Sequence, residues 1–191
     1  VSAQVRWQVL RSVPWQHLRR LLRVSKKFSA AARSVLALRP IAVCVGGGNR
    51  GRALRSTVAY DVECNSWTTL APMSLERNNC AVCSLPRGAG LLVAGGYNSS
   101  AVESSVERFD IDKGNWSTVA SMPARKSGCR GVTLSTRALV IGGYRMLDSG
   151  DIQTLAQVDS YDWVRDEWTL DVPPMKVARY DCAAVALPGD R

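Results

Sequence analysis

Apolar residues fall in short, widely spaced bursts along most of this chain. Three of them, "AVCVGGG" (42–48), "LLVAGG" (91–96) and "ALVIGG" (138–143), are continuous apolar runs that stop at paired glycines. Runs of this length, bounded by glycine, predict strands buried on both faces. Shorter alternating stretches between them predict further strands, so residues 41–191 read as all β. The first forty residues differ. Between Trp7 and Leu38 the only proline is Pro14 and there is no glycine. Leu18, Leu21, Leu22 and Val24, then Phe28, Ala31, Ala32, Val35 and Leu36, follow the i, i+3, i+4 rhythm of amphipathic helices.

The β region repeats. After each glycine pair comes an aromatic–Asp pair (Tyr60-Asp61, Phe109-Asp110, Tyr161-Asp162), and a tryptophan stands six residues beyond each Asp (Trp67, Trp116, Trp168). A methionine follows at 73, 122 and 175, a basic residue four further on (Arg77, Lys126, Arg179), and a cysteine at methionine plus seven (Cys80, Cys129, Cys182). Tryptophans 49 and then 52 residues apart give a period near 50, the length of a four-stranded propeller blade. In this order and spacing the landmarks resemble the kelch-repeat family. The resemblance implies a β-propeller of four-stranded antiparallel blades, with about three blades present. It divides the chain into a three-stranded blade (41–78), two full blades (79–126 and 127–179) and the first strand of another (180–191). Three blades cannot close around an axis, so the expectation is a fragment of a larger propeller.

Charge separates the two regions. The net charge is +9, yet residues 1–40 hold nine basic residues and no acidic one, leaving sixteen of each sign in 41–191. The boundary falls at Arg39-Pro40, where proline ends a helix. A basic, acid-free helical segment suits a nucleic-acid arm, a transit peptide, a membrane-surface helix or a bundle with a solvated basic face. The order of residues adds a fifth reading. Val13-Pro14, then Leu18 and Leu22, then Val24-Ser25-Lys26-Lys27-Phe28 resemble an F-box, without the usual Leu-Pro at its start. That resemblance implies a Skp adaptor as partner, contacted through Pro14, Leu18, Leu22, Val24 and Phe28.

Candidate chemistry is sparse. The single histidine, His17, excludes His-based triads and multi-histidine metal sites. Cys80 and Cys83 sit three apart on a predicted strand and point to opposite faces, which suits core packing better than a metal. No carboxylate pair suggests acid–base catalysis, and no apolar run approaches a membrane span. The expectation is a non-enzyme, with no cofactor and no metal, in the cytoplasm or nucleus. Kelch resemblance implies a propeller mouth lined by residues after the paired glycines and by the basic residues, here Asn49, Tyr97, Tyr144, Arg145, Arg77, Lys126 and Arg179. A cationic mouth would favour an acidic or phosphorylated peptide of a substrate protein. The function implied is substrate recognition for a cullin–RING ubiquitin ligase, and the alternative is a stand-alone kelch scaffold with a basic targeting helix.

Overall fold

The structure, a computed structural model, describes residues 41–86 and 89–187. The helical reading of residues 1–40 and the F-box-like positions lie outside them. Every described element is a strand, and the sheets are mostly antiparallel. Two compact units divide the described residues: 41–44 with Thr57–Ala71, and Val45–Ser56 with the described residues from Pro72 onward.

The first unit is built on a three-stranded sheet, β1 (Ile41–Val45), β4 (Thr57–Asp61) and β5 (Ser66–Leu70), in the order β1-β4-β5. The short β2 (Gly48–Asn49) and β3 (Arg52–Ala53) form a hairpin belonging to the second unit. That unit also holds two four-stranded sheets. One runs β6 (Ala81–Leu85), β7 (Gly90–Ala94), β8 (Val106–Asp110), β9 (Asn115–Val119) in sequence order. The other joins β10 (Arg130–Leu134), β11 (Arg137–Ile141), β14 (Val158–Asp162) and β15 (Glu167–Thr169), while β12 (Tyr144–Met146) and β13 (Ile152–Thr154) form a hairpin between β11 and β14. The described residues thus hold one three-stranded and two four-stranded sheets, consistent with kelch blades. Cys182–Leu187, expected to open another blade, pairs with no strand among the described residues.

Each landmark of the repeat has a physical task. The first glycine of each pair has φ near +60°, and a Cβ there would lie 2.4 Å from the carbonyl oxygen of Arg77, Lys126 or Arg179. Only glycine fits that approach. The second glycine donates its N–H to the same carbonyl, at 2.8, 2.8 and 2.9 Å. The paired glycines therefore fasten the backbone of the basic residue in their own repeat. The Asp of each aromatic–Asp pair turns back to cap the next bend. Asp61 accepts from Glu63 and Cys64, Asp110 from Lys113, and Asp162 from Val164 and Arg165. Those two N–H groups hold the Asp162 carboxyl below its ordinary range.

The aromatic partner matches the bend five residues on. Tyr60 donates to Asn65 (2.8 Å) and Tyr161 to Asp166 (2.5 Å), whereas Phe109, with no hydroxyl, is followed by Gly114. Asn65, Gly114 and Asp166 all have positive φ, a conformation these residue types tolerate best. Each aromatic packs on its tryptophan at 4.9–5.2 Å between centroids. Trp168 also donates to the Ala120 carbonyl of the neighbouring sheet, and Asp166 accepts from the Ala120 N–H. Trp168 thus joins one sheet to the next within the second unit. The core there is built from Leu92, Ala94, Val106, Ala138, Val140 and Tyr161, with Cys83 and Cys129 among them. Burial pushes both thiols up to about 12, so they stay protonated packing groups.

Candidate functional site

The glycine pairs end three inner strands, and the chain that follows each pair forms a surface connection. These connections are the hairpin Gly48–Ala53, the turn Tyr97–Val102 and the hairpin Tyr144–Thr154. All three lie in the second unit. The first two are tied together, since Ala53 donates to Ser99 Oγ at 2.9 Å. Tyr97 exchanges backbone hydrogen bonds with Asn78, and Tyr144 does the same with Ser127. The second and third connections are therefore each anchored to the residue that follows a buried cation. Tyr144 also meets Tyr180 edge-on, 5.6 Å between centroids.

Of the residues expected at a binding surface, Asn49, Arg145 and Arg179 are exposed, and Tyr97 and Tyr144 are half-buried. Arg77 and Lys126 require a correction. Both are buried, 1% and 0% exposed, and the negative charges they face belong to the protein itself. Arg77 pairs with Glu107 (3.2 Å) and Lys126 with Asp159 (2.7 Å). These carboxylates stand three residues before Asp110 and Asp162. A long cation leaving the mouth of a blade is solvated only if it stays outside; here a carboxylate from the following sheet draws it in. Neither side chain is exposed to attract an acidic or phosphorylated peptide.

Arg77 still bears on the surface through other groups. Its guanidinium donates to the carbonyls of Gly95 and Ser105, to Ser105 Oγ and to Glu107. Ser105 donates to Glu103 (3.1 Å), and Glu103 accepts from Asn98 Nδ2 (2.7 Å). Asn98 Oδ1 in turn accepts from Ser100 and Ala101 and closes the 97–102 turn. A buried arginine thus stiffens an exposed loop.

The third connection is the longest by sequence, Tyr161 standing 18 positions after Gly143. The sequence did not reveal that Met146, Leu147 and Ile152 stand out into solvent there. The signal was the alternation Tyr-Arg-Met and Ile-Gln-Thr around a Gly-containing bend. A depression of about 270 Å³ opens among Val82–Ser84, Gly131–Thr133 and Ala184–Ala186. Its lining mixes small apolar side chains with Ser84 and Thr133, and its one titratable group is the protonated Cys83 thiol. Among the described residues no cluster of His, Cys, Asp or Glu could hold a metal ion.

A family model of the kelch motif matches residues 31–74 and 90–123. These matches support a kelch-repeat family, and kelch motifs suggest a protein-interaction module. The first match starts upstream of the boundary expected at Arg39-Pro40. The third repeat, outside both matches, builds the same four-stranded sheet with the same glycine contacts and the same aromatic packing on its tryptophan. Among curated proteins no match to the chain is found.

Proposed function

We propose that this chain is a non-enzymatic protein-binding module that holds a partner on the three connections following its paired glycines. The observation that carries the reading is their construction. Exposed side chains such as Asn49, Arg145 and Met146 stand on backbone pinned by Asn78, Ser127 and the Arg77 network, so little ordering entropy is lost on binding. In the finer reading, residues 1–40 dock on the Skp adaptor of a cullin–RING ubiquitin ligase, and the repeats present the substrate protein. The Val24-Ser25-Lys26-Lys27-Phe28 pattern, just ahead of the first kelch match, supports it. This role is a cytoplasmic or nuclear one.

The test is co-precipitation of the full chain with purified Skp adaptor. Enrichment that disappears in a Leu22→Ala, Phe28→Ala double variant is the expected result, and equal recovery of both proteins sinks the docking claim. The excess of nine positive charges in residues 1–40 favours one other reading, a scaffold carried by a basic targeting segment. A fluorescent fusion of residues 1–40 that gathers at mitochondria or membranes would decide for it.

A further inference from the structure

We infer that the hairpin Tyr144–Thr154 is the main contact ridge, and that it takes an apolar segment of the partner protein bearing a basic residue. This rests on the protein-binding reading above and narrows it to a partner chemistry. In the hairpin, Tyr144 opposes Thr154 and Met146 opposes Ile152, while Arg145 opposes Gln153. Alternation therefore sends Tyr144, Met146, Ile152 and Thr154 to one face, and Arg145 and Gln153 to the other. The polar face is closed on itself, Arg145 Nε donating to Gln153 at 2.6 Å. On the other face Met146 is 50% and Ile152 52% exposed, and Leu147 at the tip is 40% exposed.

The hairpin is also held. Its base is bonded to Ser127 and packed on Tyr180. Its tip is closed by Leu147 N–H to the Asp151 carbonyl, and Gly150 N–H to the Leu147 carbonyl, both at 2.9 Å. A large apolar face kept rigid and in water marks a contact surface, and methionine adapts to varied apolar partners. The equivalent connections, around Arg50-Gly51 and Ser99-Ser100, carry no such face.

Charge selects the partner. Asp148 and Asp151 flank the tip, both exposed, and among the described residues no cation pairs with either. Arg145, the nearest cation in sequence, is held by Gln153 on the opposite face. An acidic or phosphorylated peptide would meet like charge here, whereas a Lys or Arg beside apolar residues would meet both features at once.

The chain's four methionines make the test direct. With ¹³C-methyl methionine, Met146 reports on the hairpin, and the buried Met73 and Met122 report that the protein stays folded. Three short synthetic peptides serve as probes: Leu/Ile with Lys, the same with Glu for Lys, and a Ser/Glu phosphopeptide. The lysine peptide should shift the Met146 signal and leave Met73 and Met122 in place. Ile152→Ser should weaken that binding about tenfold, a typical loss at a buried interface side chain. Asp148→Asn with Asp151→Asn should weaken it about threefold, as for exposed charge pairs.

Equal or tighter binding of either acidic peptide overturns the inference. Binding detected by fluorescence anisotropy without a Met146 shift overturns it too, but leaves the protein-binding reading standing. Absence of binding by all three overturns it. Self-association that shifts Met146 without peptide would make a second copy the occupant, and so also refutes it.

Discussion

Two buried ion pairs occupy equivalent places in successive repeats, and they are not equally well made. Glu107 receives Arg77 together with the backbone N–H groups of Ser74 (2.7 Å) and Leu75 (3.3 Å). Asp159 receives Lys126 at 2.7 Å, but without hydrogen-bond angles, and neither of its oxygens accepts a hydrogen bond among the described residues. The cause is written in three substitutions. Pro123 stands where Ser74 does and has no N–H to give. Aspartate is a methylene shorter than glutamate. Lysine lacks the planar fork with which Arg77 also reaches Gly95 and Ser105. Two pairs of like sign and depth thus differ in worth because of the neutral groups around them.

The comparison can be broken most severely at the carboxylates. Glu107→Ala should cost about 3–5 kcal/mol, because it strands a buried guanidinium that cannot shed its charge. Asp159→Ala should cost less by about 1–3 kcal/mol, since no backbone donor loses an acceptor. Urea midpoints of the full chain measure both, and equal losses would mean that the backbone donors contribute nothing.

Exchanging the neutral groups sharpens it. Ser74→Pro places the second repeat's residue in the first and should cost about 1–3 kcal/mol through the N–H lost to Glu107. The reverse change, Pro123→Ser with Asp159→Glu, should stabilise by about 0.5–1.5 kcal/mol, the usual net value of one hydrogen bond. A destabilised Pro123→Ser, Asp159→Glu protein would show that the second site has no room for the longer acid.

A separate effect is alkaline. Cys83 and Cys129 are raised by burial to about 12 from an ordinary value of 9.0. Above pH 9 the unfolded chain ionises these thiols while the folded one keeps its protons. The stability they contribute is therefore full below pH 9 and lost as pH rises towards about 12. Cys83→Ala should flatten that decline in the unfolding midpoint, and an unchanged slope would assign it to other groups.

The sequence made the repeat itself legible, because glycine at a fixed φ and tryptophan at a fixed contact tolerate few replacements. An all-β fold of mostly antiparallel sheets followed from it. The acceptors of the cations were hidden by variation. Glu107 and Asp159 correspond to Val58 in the first repeat, so no single residue type marks the position. Arg77 and Lys126 were accordingly read as surface groups. Nor could the apolar face of the third hairpin be foreseen from composition alone, since Met146 and Ile152 become neighbours only through the register of β12 on β13.

The reach of Arg77 to a carboxylate 30 positions later also sets a timetable for synthesis. A ribosome adding about 5–20 residues per second needs roughly two to six seconds to make that stretch. Until then the nascent cation has no counter-charge and must stay in water, which keeps Met73–Arg77 from settling early. Lys126 waits in the same way for Asp159. The first two repeats thereby complete their buried ion pairs only after part of the following repeat has been made.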